Sequence, residues 1–168
     1  MSCRLARFAL LFTLLWLSVS GVTSAQEPDS LLAVELAVAA HIRAAPRFRS
    51  PVAFDPVQWT PHAPHGLGAA RDVSHTQALA AALGASVHTV SEVLSCPSGP
   101  ASCSLGAFAA HLMFGRATVL GDSATVEVVR RWSTGSPSTP VAYSRAEYGL
   151  HRTPEGWRVV GRRGKVIS

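Results

Sequence analysis

Residues 141–167 read VAYSRAEYGLHRTPEGWRVVGRRGKVI, two β-rich runs either side of Thr153-Pro-Glu-Gly156, and how they pair decides the fold. Proline presets the backbone angle that the second position of a tight turn needs, and glycine accepts the left-handed conformation that closes it. A turn there folds Val141–Arg152 back along Trp157–Ile167 as an antiparallel pair. Immediately upstream, Ser123–Trp132 sets Ala124, Val126 and Val128 against Thr125, Glu127 and Val129, the period-two pattern of a strand with two unlike faces. Gly121-Asp122 is a hairpin signal joining it to the β-rich run Phe108–Leu120, and the loop STGSPSTP separates it from Val141. Four consecutive antiparallel strands are therefore expected to close the chain.

Helical spacing dominates the earlier half. Asp29 or Ser30 can cap a helix whose apolar positions Leu31, Val34, Val38, Ile42 and Ala45 recur until Pro46. Residues 46–70 hold five prolines and read as a connection with at most one short strand, near Val52–Trp59. Ser74-His-Thr-Gln77 fits a capping box opening a second helix over Thr76–Leu83, which Gly84 ends. Val87–Leu94 alternates weakly and suits a strand. Helices first and an antiparallel meander afterwards describe an α+β fold, N-terminal helices packed on a curved antiparallel sheet.

This element order, with Tyr148-Gly-Leu150, the turn Pro154–Gly156 and Gly156-Trp-Arg-Val-Val160, resembles the nuclear-transport-factor-like superfamily of cystatin-type α+β cones. The resemblance covers most of residues 30–168 and implies a cone-like fold whose concave face can hold a ligand. The Asp-His pairings of the enzymatic members have no matching positions here, so no family active site is carried over.

The first 25 residues place Arg4 and Arg7 before the apolar run Phe8–Val19 and end in Thr-Ser-Ala, the pattern of a secretory signal peptide cut after Ala25. Residues 26–168 are then expected to form one domain, secreted or periplasmic, with no stable membrane span after cleavage. The whole chain carries a formal net charge of +5, and two of its basic residues leave with the leader. That is a mild excess rather than a nucleic-acid binder's charge, so nucleic acid is not an expected partner. Fourteen of the fifteen basic residues are arginines and alanine is abundant, a composition matching a high-GC bacterial genome.

With the leader gone, Cys96 and Cys103 of CPSGPASC are the only cysteines. In an oxidising compartment an even pair reads as a disulfide, and the spacing suits neither zinc nor a thiol redox centre. Closing that loop removes about 2.5 kcal/mol of unfolded-chain entropy.

Candidate chemistry is sparse. On a helical wheel His41 lies about 20° from Val34 and about 60° from Val38, on the apolar face, where it can line a pocket or sit as a hydrogen-bonded core histidine. Phe114, Val126, Val128, Tyr148 and Trp157 are the strand positions expected to oppose that helix. They either fill a solid core, which the alanines of the helix favour, or line a cavity with His41 at its rim, making His41, Phe114, Tyr148 and Trp157 the ligand-binding candidates. His62, His65 and His75 are three imidazoles, but prolines hold the first two extended and pointing apart, so no metal is expected. Arg162, Arg163 and Lys165 can attract an anionic surface at low salt or, the favoured reading, form a charged strand end that blunts edge pairing. There is no Gly-x-Ser-x-Gly and no cofactor motif. The expected role is binding a small apolar ligand or an envelope protein, with a cone-pocket enzyme using His41 and an envelope interaction module as alternatives.

Overall fold

The computed structural model describes residues 28–61, 66–99, 102–135 and 140–167. Residues 1–25, expected to be a signal peptide, and the imidazoles of His62 and His65 lie outside the described residues, as does the side chain of Lys165. No helix among the described residues is long and apolar enough to cross a membrane.

The chain runs α1 (Pro28–Arg43), β1 (Val52–Phe54), β2 (Val57–Trp59), β3 (Leu67–Ala70), α2 (Val73–Leu83), β4 (Ser86–Val87) and α3 (Val90–Val93). It continues as β5 (Ala110–Phe114), β6 (Thr118–Leu120), β7 (Ser123–Ser133), β8 (Val141–Thr153) and β9 (Gly156–Ile167). This is an α+β fold. Its main sheet is open, in the order β4-β1-β5-β7-β8-β9, with β6 also on β7. β5, β7, β8 and β9 are successively antiparallel, as the turn signals require, whereas β1 pairs in parallel with both β4 and β5. The sheet is thus mixed at one edge.

Ahead of β5 three segments differ from the sequence expectation, two of them because a side chain supplies a bond that the local pattern hides. The 46–70 connection holds three short strands rather than at most one, and β2 pairs with β3 as a separate ribbon. Helix α2 begins at Val73, not Thr76: the Asp72 carboxylate, not the Ser74 hydroxyl, accepts the free backbone N–H of His75 at 2.8 Å, and Ser74 donates to it at 2.7 Å. The His75 bond spans the three-residue N-cap spacing, and aspartate is among the strongest caps. The weak alternation over Val87–Leu94 yields to a helical turn, because Glu92 reaches back to the Thr89 N–H at 2.7 Å and Asp55 accepts the Val90 N–H at 2.8 Å.

At its far end α2 stops where Gly84 adopts a left-handed conformation (φ 63°) and its N–H returns to the last carbonyls. Arg43, ending α1, donates to the Ala81 and Ala82 carbonyls of that same last turn, a favourable place for a cation. Arg43 thus ties the ends of α1 and α2 together.

The alternation of β7 and β8 places Val126, Val128, Ala146, Tyr148 and Leu150 on one face, in a buried cluster with Val34, Val38, Ala39 and Ile42 of α1 and with Leu79 and Leu83 of α2. Phe54 and Phe114 meet edge to face in the same cluster, 5.8 Å between centroids. The opposite face is covered near β1 by a smaller cluster of Ala53, Val93 and Leu105, joined by Phe108 and Val141. Cys96 and Cys103 are joined by a disulfide there, and its neck is closed by a reciprocal backbone pair between Ser95 and Ser104.

Candidate functional site

The run expected as one strand over Phe108–Leu120 is interrupted after Phe114, and that interruption organises a buried charge cluster. Gly115 N–H turns to the Glu127 carbonyl at 2.7 Å, leaving the Phe114 and Gly115 carbonyls to accept Arg71 Nη2 at 2.9 and 3.2 Å. Arg71 Nε lies 3.3 Å from Glu35 Oε2, His75 Nε2 is hydrogen bonded to the same oxygen at 2.9 Å, and Ala117 N–H donates to Oε1 at 3.3 Å. Burial holds the Arg71 guanidinium below its ordinary value, and Glu35 pulls the other way. His75, weighed above as a third metal ligand, is committed to this carboxylate. Among the described residues no three His, Cys, Asp or Glu side chains gather as a metal set.

A second buried pair sits on the other face. Asp55 accepts the Val57 and Val90 N–H groups at 2.9 and 2.8 Å, and His111 Nε2 stands 3.2 Å from its Oδ2 without the alignment of a hydrogen bond. Both side chains are shut off from solvent, so the pair anchors β1 to the start of α3 and cannot reach a ligand. Nearer the β2–β3 ribbon, Glu127 accepts Trp59 Nε1 at 2.7 Å and pairs with Arg145. Both arrangements fix elements against the sheet.

Open space lies at the end of α1. A cavity of about 530 Å3 is bounded by His41, Ile42 and the 45–48 segment on one side, and on the other by Leu112, Val128, Arg130, Trp132, Ser144, Ala146, Tyr148 and Arg162. The strand registers explain why these side chains converge. Arg130 on β7 faces Leu112 on β5 and Ser144 on β8, Val128 faces Ala146, and Tyr148 faces Arg162 on β9. All follow the inward phase set by Val126 and Val128. Ala146, one methyl group at the centre of this array, leaves the room that a larger side chain would fill.

Of the four ligand-binding candidates named from the sequence, the cavity brings together two. His41 stands exposed at the mouth, its ring meeting Tyr148 edge on at 5.9 Å. Phe114 is wholly buried against Phe54, and Trp157 packs on the core under the Arg152 guanidinium; neither lines the cavity. The solid core favoured by the helix alanines is therefore incomplete at this end, because α1 stops at Arg43 while β7 and β8 run on.

The sequence reading missed the polar part of the lining. Arg130 lies over the Trp132 ring at 5.3 Å and Arg162 over the Tyr148 ring at 5.9 Å. Arg130 could have been found by extending the alternation Ala124, Val126, Val128 by one step, which puts a cation on the inward face. Compared with family models, with curated proteins and with solved structures, the chain has no match.

Proposed function

We propose that the protein holds a small ligand with an apolar body in the cavity beside the end of α1. The observation that carries this is the cavity itself: its volume of about 530 Å3 falls among those of ligand sites, and its lining joins apolar walls to a few convergent polar groups. His41 contacts the Tyr148 ring, and no carboxylate lines the cavity among the described residues, which favours holding a ligand over an acid–base reaction through His41.

We read the sheet as the curved wall of a nuclear-transport-factor-like cone. Support comes from the register shift between Gly149 and Leu150 on β8 and β9, since an extra residue on one strand of a pair bends it. An exported setting is our reading of the leader pattern, and the Cys96–Cys103 bridge supports it.

The test is calorimetric titration of the purified protein with dodecanol, an apolar chain without charge, alongside the variant Ala146→Phe, which fills the cavity. One equivalent should bind the wild type, and the variant should lose binding at least tenfold while keeping its circular dichroism and melting transition. No binding to the wild type, or equal binding to a folded Ala146→Phe, refutes the reading.

A further inference from the structure

Two buried or half-buried arginines of this protein have anionic partners. Arg71 has a carboxylate and two carbonyls, and Arg145 has Glu127. Arg130 and Arg162 have aromatic rings beneath them and, among the described residues, no carboxylate. Both reach the same cavity from β7 and β9, on either side of the small residue Ala146, and Arg47 adds a third guanidinium at the wall.

A half-buried guanidinium beside a like charge is an unfavourable arrangement unless something negative offsets it. Burial holds Arg130 below its ordinary value; Tyr148 acts in the opposite sense and Arg162 adds to the depression. The cross-strand neighbours of Arg130 are Leu112 and Ser144, an apolar group and a hydroxyl, neither of which neutralises it. Arginine on an aromatic ring is pre-organised, so its fork can receive a planar anion with little loss of freedom.

From this convergence we infer that the cavity's ligand is an amphipathic anion: a carboxylate or similar small anionic head held between Arg130 and Arg162 beside the Ser144 hydroxyl, on an apolar chain lying along Ile42, Leu112, Val128 and Ala146. The inference rests on the cavity reading above and adds the charge and orientation of the ligand. The head sits over Ala146, between Arg130, which lies beside Ser144, and Arg162, which lies beside Tyr148 four residues further along β8. The chain runs from there under Ile42, so that His41 at the mouth stays outside the apolar contact.

The experiment compares dodecanoate, dodecanol and butyrate by calorimetry at low salt on the wild type, then on Arg130→Gln and on Arg162→Gln, with melting transitions recorded for each. The wild type is expected to bind dodecanoate at least tenfold more tightly than dodecanol, with butyrate far weaker than either. Arg162→Gln, at an exposed position that does not test the fold, should remove most of the preference for dodecanoate over dodecanol. Raising the salt should narrow the preference in the wild type. Equal affinity for dodecanoate and dodecanol overturns the anionic head while the apolar cavity stands. Failure of all three to bind overturns the cavity reading and this inference together. Butyrate binding as tightly as dodecanoate overturns the apolar chain, and an undiminished preference in both arginine variants overturns the assignment to these residues.

Discussion

Arg71 Nε lies 3.3 Å from Glu35 Oε2, with the two side chains 0% and 2% exposed. The pair joins α1 to the segment preceding α2 and, through the Phe114 and Gly115 carbonyls, to the break after β5. Breaking such a pair from one side leaves a buried charge without its counter-charge, whereas replacing both partners by apolar groups removes the cost of burying them.

Arg71→Met should therefore lower the unfolding free energy in urea by about 3–5 kcal/mol, and Glu35→Leu combined with Arg71→Met should recover only part of that loss, because the Ala117 N–H and the Phe114 and Gly115 carbonyls then lack their partners. An Arg71→Met effect below about 1 kcal/mol, the range of an exposed pair, would show that the two groups are not buried together.

Asp72 gives stability a pH signature. The His75 backbone N–H, then the Ser74 hydroxyl, hold its carboxyl below the usual carboxylate range. A carboxyl with a depressed folded pKa binds its proton less readily in the folded chain, so its contribution is present above the unfolded value and is lost as pH falls through the folded one. Asp72→Ala should lower the melting temperature at neutral pH, and the gap to wild type should shrink in strong acid. Asp72→Asn keeps an acceptor at the helix start and should sit near the wild type at neutral pH, because asparagine caps about as well. A gap that stays constant with pH would contradict the cap.

The loop from Cys96 to Cys103 is already pinned at its base by Ser95 and Ser104. Cys96→Ser with Cys103→Ser should lose about 2.5 kcal/mol, the closure entropy of a short loop, and remain folded. Exported protein, expected to begin at Gln26, should show no free thiol when denatured and two after reduction. Two thiols before reduction would reject the bridge.

What could be read from the sequence was what local chemistry decides. The period-two run of β7, the Thr153–Gly156 turn and the apolar face of α1 each carry their signal within a dozen residues, and the antiparallel order follows from them. The charge cluster could not be read this way, since Glu35 meets Arg71 and Ala117 across 36 and 82 positions. One trace of it was present. Glu35 falls between Leu31, Val38 and Ala39 on the wheel, a carboxylate inside an apolar face, and such a residue needs a partner. Trp157 and Phe114 were grouped with the cavity because alternation gives the face of a strand and not the position along it. His41 and Tyr148 meet because α1 ends beside them, and that depends on how far each element runs.

The most direct measurement of the central claim is a methyl-resolved NMR titration of the labelled protein with dodecanoate. The account predicts saturable shifts at Ile42, Leu112, Val128 and Ala146, with the ring signals of Tyr148 following and Val93 and Leu105 on the opposite face unmoved. Shifts centred on Val93 and Leu105, or none at the four cavity residues at saturating ligand, would contradict it.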